Sequence, residues 1–172
     1  MTSVAPDGFV RFDNLAGNAY METVGPLFMR VDPERGPLFG FRVEQRHCNA
    51  IGICHGGMIA TFADIYLPTQ LRFDPEFDDG YTPTISLTLD FLGMARVGAW
   101  VEGSGRLLRR TGRMIFTEGL VTADGEPVLR ASGTFRRGKP GERIDTNEHL
   151  QELAGTWSTP PLSGQGRSVR RQ

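Results

Sequence analysis

The hydrophobic pattern of this chain centres on one long apolar helix. Residues 47–71, HCNAIGICHGGMIATFADIYLPTQL, carry apolar side chains at most helical positions, and Asp64 is their only formally charged residue. A helix that is apolar on nearly every face is predicted to be buried almost all round. An unpaired carboxylate is costly to bury, so Asp64 is expected to be paired, protonated or functional.

Strand patterns lie on both sides of this helix. Before it, the runs PLFMRVD and PLFGFRVEQ flank the turn formers Pro33 and Gly36 and predict a hairpin. After it, residues 84–91 alternate apolar and polar side chains with the period of two of a half-buried strand. Three more strands are predicted at residues 97–108, 113–123 and 127–136. This order predicts an α+β fold in which an antiparallel sheet of about six strands wraps around the central helix.

The two ends of the chain are expected to lie outside this main domain, which spans residues 26–137. In residues 1–25, apolar positions from Leu15 to Val24 predict a short amphipathic helix that covers the domain and stops at Gly25-Pro26. In residues 138–172, helical spacing of Leu150, Leu153 and Trp157 predicts one more short helix. The polar tail that follows is predicted to be disordered.

Composition limits the classes of function. The chain has 172 residues, 39% hydrophobic and 23% charged, which suits one globular domain. Its net charge of -1 gives no general footprint for nucleic acid, and it has no run of about 18 apolar residues to span a membrane. The first residues lack the layout of a secretory signal. We therefore expect a soluble cytoplasmic protein without nucleic-acid or membrane partners.

Two cysteines and two histidines form an H-C-x5-C-H cluster at His47, Cys48, Cys54 and His55. These four side chains are of the types that bind zinc. The spacing nevertheless matches neither a zinc knuckle nor a redox pair, and ligands on adjacent residues point in diverging directions. The sequence places no histidine as a base for a Cys54 nucleophile. We therefore predict buried structural thiols, no metal and no cofactor.

The same stretch carries a more specific motif. Asn49-x5-His55-Gly56-Gly57-x6-Asp64, with Gly52 between, resembles the signature of the hotdog-fold thioesterases, in particular the PaaI-like acyl-CoA thioesterases. The resemblance extends over residues 26–136. It implies a hotdog fold, hydrolysis of acyl-CoA thioesters, and assembly as a homodimer or a dimer of dimers.

The chain departs from this family in two places. Gly93-Met94-Ala95 stands where a proline is common, and Pro68 is predicted to kink the helix or end it early. Both changes are expected to bear on the shape of the pocket.

The resemblance assigns roles that suit thioester chemistry. The N–H of Gly56, at a helix start, is the predicted donor to the oxyanion, with Asn49 as a second donor. Asp64 is the predicted nucleophile or general base, and the sequence leaves both roles open. Thr84 is predicted to position water.

Each assignment has a structural alternative. Asp64 would pair with an arginine, Asn49 would close an Asx turn, and Thr84 would be an ordinary strand residue. Close packing of two helices would explain Gly56 and Gly57. His55 is predicted mainly to support the helix entrance and, with Gly57, to border the substrate.

A basic cluster completes the candidate site. Arg109, Arg110 and Arg113 are candidates to bind the phosphates of coenzyme A, and a solvated turn is the alternative. Two other functions fit the motif less well. A non-catalytic acyl-CoA sensor would not require Asp64, which this chain has. An enoyl-CoA hydratase normally has a different loop pattern.

Helix geometry sets one further expectation. Eight residues separate Gly56 from Asp64, which is ~12 Å along a helix at ~1.5 Å per residue. One acyl carbon cannot reach both groups. If both act on one thioester, Asp64 must come from a neighbouring subunit, which approaches across the small residues Gly57, Ala60 and Thr61.

Overall fold

One antiparallel sheet and one long helix make up most of the chain, in a computed structural model that describes residues 4–13, 19–74, 77 and 80–139. The helices are α1 (Ala19–Val24) and α2 (Gly56–Thr69), with short 3-10 helices at Gln45–His47 and Gln70–Phe73. The strands are β1 (Val10–Arg11), β2 (Phe28–Asp32), β3 (Gly36–Arg42), β4 (Thr84–Phe91), β5 (Trp100–Arg110), β6 (Met114–Ala123) and β7 (Glu126–Arg136).

The predicted α+β fold is confirmed, with one strand more than expected. The strands lie in the order β1-β2-β3-β5-β6-β7-β4, and every neighbouring pair is antiparallel. The additional strand β1 has two residues, too few to show a period in the sequence. It lies within residues 1–25, which were predicted as a helical cover, so this segment also extends the sheet.

One face of α2 packs on the sheet. Its buried residues are Met58, Ile59, Phe62, Ala63, Tyr66 and Leu67. The sheet must leave room for the large rings among them. Tyr66 lies directly over Gly103 and Gly119, where any Cβ would collide with its ring or hydroxyl. Glycines on the inner face of β5 and β6 therefore allow the helix to approach closely.

The opposite face of α2 is only partly covered by the residues that the structure describes, with Tyr20 of α1 in a 3.0 Å hydrogen bond to the Thr61 hydroxyl. Ala60, Thr61 and Asp64 are only partly buried, and Gly57 is exposed. The expectation of a helix buried almost all round is therefore wrong for a single chain, because the sheet shields only one side. Near its end the helix contains Pro68, which lacks the N–H that would bond to the Asp64 carbonyl. The helix ends one residue later and continues as the 3-10 helix.

Strand β4 is also more exposed than its alternating pattern predicts. None of its eight residues is buried, although Leu87 and Leu89 pack partly against the core. The reason is its position at the edge of the sheet, where β7 is its only neighbouring strand among the described residues. A register shift between Thr84 and Ser86 further interrupts the alternation, and Ile85 is 51% exposed.

The remaining differences from the predicted elements concern boundaries. Strand β5 begins at Trp100, three residues later than predicted, because Gly98 adopts a positive φ of 85° in a turn. The start of the predicted N-terminal helix, the predicted C-terminal helix and the tail lie outside the described residues. Within the described part, no helix is long and apolar enough to cross a membrane.

Candidate active site

Asp64 projects from the partly exposed face of α2 toward the start of β4. Its Oδ1 accepts a hydrogen bond of 2.7 Å from the Thr84 hydroxyl. The carboxylate is partly buried, and no arginine forms an ion pair with it among the described residues. Thr84 thus orients Asp64, and the second carboxylate oxygen accepts no hydrogen bond from a described residue.

Asn49 closes the loop that leads into α2. Its Oδ1 accepts hydrogen bonds from the N–H groups of Ile51 (3.1 Å) and Ile53 (3.3 Å). The first of these is the Asx turn that was the structural alternative for this residue. The side-chain amide NH2 of Asn49 has no hydrogen bond to any described residue. Asn49 can therefore hold the loop through its oxygen and still donate from its nitrogen.

His55 is the N-cap of α2. Its Nδ1 accepts a 2.9 Å hydrogen bond from the Gly57 N–H, so that donor is already engaged. A Cβ on Gly57 would lie 2.9 Å from the same ring nitrogen, which explains the glycine. Within the described chain the rings of His55 and Phe91 lie beside Gly57 and Gly56, respectively. The alternative of two closely packed helices concerns a second chain and stays a prediction.

The N–H of Gly56 is the donor left at this helix start. The described part of the chain provides no hydrogen-bond acceptor for it. The first N–H groups of a helix lack intrahelical partners and lie at the positive end of its dipole. A thioester oxygen can therefore be held here.

The two halves of the predicted chemistry lie far apart within one chain. Thr84, at the first end of β4, bonds to Asp64, and Phe91, at the other end, contacts Gly56. Eight residues of strand span ~23 Å at ~3.3 Å per residue. The structure thus brings Asp64 together with Thr84, and Asn49 closes the loop that leads to His55 and Gly56, but it does not join the two groups.

A basic cavity of about 550 Å³ lies near the Thr84 end of the sheet. Its lining includes Tyr81, Arg113, Arg136, Arg137 and Lys139. Backbone hydrogen bonds hold its walls to β4, because the Arg136 N–H donates to Pro83, the residue before Thr84, at 2.9 Å.

The predicted arginine cluster is divided by this arrangement. Arg113 lines the cavity, whereas Arg109 and Arg110 lie earlier on β5 and do not. The sequence reasoning did not include Arg136, Arg137 and Lys139, although a basic run directly after the last predicted strand was visible.

The cysteines and His47 form the structural support beneath the loop. Cys48 and Cys54 face each other in an antiparallel bridge and are free thiols. Burial raises the pKa of Cys54 to about 12 and also raises that of Cys48, so neither thiol is a ready nucleophile. His47 is buried, and its Nδ1 accepts the Glu44 N–H at 3.0 Å. No group of three or more potential metal ligands occurs among the described residues.

Comparison with known proteins places the chain in a family. The family model of the thioesterase superfamily matches residues 51–129. A Pseudomonas aeruginosa protein named "Putative esterase PA0474" is 34% identical over 130 residues, which cover 76% of this chain and 95% of the relative. The chain belongs to the thioesterase superfamily. As a member of it, the protein is a thioester hydrolase.

Solved structures agree with this membership. A phenylacetic acid degradation-related protein from Ralstonia eutropha JMP134 is 28% identical, with a TM-score of 0.58 over 70% of this chain and 93% of that one. The BH2602 protein from Bacillus halodurans, solved with CoA, is 17% identical and has the same fold, with a TM-score of 0.62 over 73% of this chain and 82% of that one. The hotdog fold and the likeness to PaaI-like thioesterases are confirmed.

Proposed function

We propose that this thioesterase hydrolyses acyl-CoA to a free acid and CoA at a site completed by a second copy of the chain. The observation that carries the proposal is the pair of unfinished half-sites. A carboxylate oriented by Thr84 lies at one end of β4, and an unengaged helix-start N–H at Gly56 lies at the other. The CoA bound to the Bacillus halodurans relative supports the choice of thioester.

Pairing of two β4 strands would join the half-sites. β4 is an exposed edge strand, and such an edge presents unpaired backbone groups to a second strand. In an antiparallel pair of identical strands about a two-fold axis, Thr84 of one copy lies toward Phe91 of the other. Asp64 of one subunit then comes toward Gly56 of its neighbour. The small residues Gly57 and Ala60 on the partly exposed face of α2 leave room for that neighbour.

The proposed chemistry divides between these groups. The thioester oxygen accepts the Gly56 N–H, and the Asn49 amide donates to the same oxygen or to the attacking water. Asp64 of the neighbouring subunit either removes a proton from that water or attacks the carbonyl carbon itself. In both routes the C–S bond breaks, and the thiolate of CoA leaves and takes up a proton. In the second route a mixed anhydride of Asp64 and the acyl group remains, and water then hydrolyses it at the carboxyl carbon of Asp64 to release the acid.

Thr84 Oγ–H occupies one oxygen of Asp64 and leaves the other to react. Single turnover in ¹⁸O-labelled water distinguishes the two routes, because only a nucleophilic Asp64 transfers its own oxygen to the first molecule of acid.

The basic cavity is the proposed site for the CoA phosphates. It lies beside Pro83 and Thr84 and therefore belongs to the half-site that contributes Asp64. Arginine binds phosphate through paired N–H groups, so Arg113 and Arg136 suit a diphosphate. In this proposal Arg109 and Arg110 do not contact the CoA phosphates. The phosphates bind instead to Arg113 and to the other basic residues of the cavity, Arg136, Arg137 and Lys139.

Release of free thiol tests the function. The purified protein is assayed with a panel of acyl-CoAs and with matching N-acetylcysteamine thioesters, which lack the phosphates. We expect turnover of CoA esters, and Arg113→Ala is expected to raise KM several-fold for CoA esters alone. Arg130→Ala, on the outer face of the sheet, is the matched control. Binding of acyl-CoA without thiol release would contradict hydrolysis and favour a sensor.

A further inference from the structure

Phe91 is a large apolar residue that the core does not use. Its side chain is 55% exposed, and it is absent from the residues packed against the core, unlike Leu87 and Leu89 on the same strand. Its ring instead lies over the start of α2. The ring atoms Cε1 and Cζ are 3.2 and 3.3 Å from the position that a Cβ on Gly56 would occupy. The ring therefore lies beside the Cα of the residue whose N–H holds the thioester oxygen in the proposed function.

Other exposed apolar side chains lie on the same two segments. Ile51 is 77% exposed in the loop before α2, and Met94 is 62% exposed in the loop after β4. The two loops are joined by a bridge between Ile53 and Arg96 and by a 2.8 Å hydrogen bond from the Cys54 N–H to Ala95. Clustered apolar side chains on a surface mark a place where an apolar group binds.

We propose that Phe91 is the specificity-determining wall of the acyl site, selecting apolar acyl groups with an unbranched CH2 next to the carbonyl. The inference rests on the proposed function and adds a substrate class to it. A carbonyl oxygen that accepts the Gly56 N–H lies ~2.9 Å from that nitrogen. The next carbon of the acyl group is then within roughly 5 Å of Gly56 and in van der Waals reach of the ring, at about 4 Å. A second substituent on that carbon collides with Phe91.

The isomers n-butyryl-CoA and isobutyryl-CoA test this wall, because they differ only in branching at that carbon. The ratio of their kcat/KM values is measured by thiol release for wild type, Phe91→Leu and Phe91→Ala. Wild type is expected to prefer n-butyryl-CoA. Phe91→Ala is expected to raise the relative rate of isobutyryl-CoA about tenfold, since one methylene in a pocket changes specificity ~10–200-fold. Phe91→Leu is expected to give an intermediate ratio.

Leu92→Ala is the matched control. Leu92 is the first residue after β4, is 56% exposed, and its N–H donates a 2.9 Å hydrogen bond to the Val128 carbonyl. Its variant is expected to keep the wild-type ratio within about twofold. Circular dichroism checks folding, and Phe91→Leu decides the matter if Phe91→Ala unfolds. An unchanged ratio in both Phe91 variants, with thiol release intact, would overturn the wall and leave the proposed function standing. Absence of thiol release from wild type with every acyl-CoA would overturn both.

Discussion

At the scale of single residues, Asp64 is the proposed catalytic carboxylate. Asp64→Asn keeps nearly the same shape and can still accept the Thr84 hydroxyl, so the fold is expected to persist. The amide is neither base nor nucleophile. We expect kcat to fall by ~10²–10⁴, as for loss of general-base catalysis. Asp90→Asn, on β4 and paired with Arg130, is the control carboxylate. A kcat above about a tenth of wild type for Asp64→Asn would contradict the assignment.

Asn49 combines a structural oxygen with an unengaged nitrogen, and one substitution separates them. Asn49→Asp keeps an acceptor for the Ile51 and Ile53 N–H groups but removes the donor. We expect Tm to stay near that of wild type while kcat falls by up to ~10²–10³, the usual cost of one oxyanion donor.

Asn49→Ala, which removes both oxygen and nitrogen, is expected to lower Tm as well. Wild-type activity in Asn49→Asp would show that Asn49 has only a structural role.

The role of Asp64 shows what sequence could and could not reveal at this scale. The isolation of one charge in an apolar helix singled it out, whereas its hydrogen bond with Thr84 was not predicted, because the resemblance assigned Thr84 only to positioning water. The engagement of the Gly57 N–H by His55 was not predictable, because ring orientation depends on local φ and ψ. Phe91 looked like an ordinary strand residue, since alternation says nothing about which edge of the sheet a strand occupies.

At the scale of elements, the backbone at the start of α2 allows a substitution that removes the Gly56 N–H and keeps the helix. Proline is well tolerated as the first residue of a helix, and His55 has the extended backbone (φ -63°, ψ 136°) that a residue before proline requires. Gly56→Pro therefore removes the N–H while keeping the helix start. Gly56→Ala adds a similar contact with Phe91 but keeps the N–H.

We expect Gly56→Pro to lose ~10²–10³ in kcat. Gly56→Ala is expected to lose far less, and both are checked by thiol release and by circular dichroism. Equal losses in the two variants would show that crowding against Phe91, and not the N–H, is responsible.

The short 3-10 helix before this loop gives the fold a pH dependence. Burial, together with the charge of Arg46, lowers the pKa of His47 below its ordinary value of 6.5. The unfolded chain then binds a proton more readily than the folded one. The contribution of neutral His47 to stability is complete above pH 6.5 and is lost as pH falls through that value toward the folded pKa.

Wild-type Tm is therefore expected to fall from pH 7.5 to pH 5 more steeply than that of His47→Asn, whose oxygen can accept the Glu44 N–H without titrating. Thermal unfolding followed by circular dichroism across this range measures the difference. Parallel curves for the two proteins would contradict a buried neutral His47.

The order of the helices and strands was predictable from the sequence, while the extent to which each one is buried was not. The alternation in residues 84–91 and the apolar run in α2 reported the correct elements. The helix was expected to be buried almost all round and the strand to bury one of its two faces, and both are more exposed than that in the described chain. The patterns record burial in the complete protein, so an apolar surface covered by another copy is indistinguishable in sequence from one covered by the same chain.

At the scale of the whole molecule, the exposed surfaces of α2 and β4 lie next to each other. The partly exposed face of α2 and the edge strand β4 adjoin each other through the Asp64 and Thr84 contact. Each half-site lacks what the other provides. The account therefore predicts that the active unit is a pair of chains and that a single chain cannot hydrolyse a thioester.

Complementation between two inactive variants tests this claim most directly. Asp64→Asn supplies an intact Gly56 half-site, and Gly56→Pro supplies an intact Asp64 half-site. The two proteins are mixed, subunits are allowed to exchange, and mixed pairs are verified by native mass spectrometry. One of the two sites in a mixed pair regains both halves. Thiol release is then expected to return to roughly half the wild-type rate per mixed dimer, because catalytic groups contributed by separate subunits act as one unit. No recovery with exchange verified, or full activity in a monomer, would contradict a shared site.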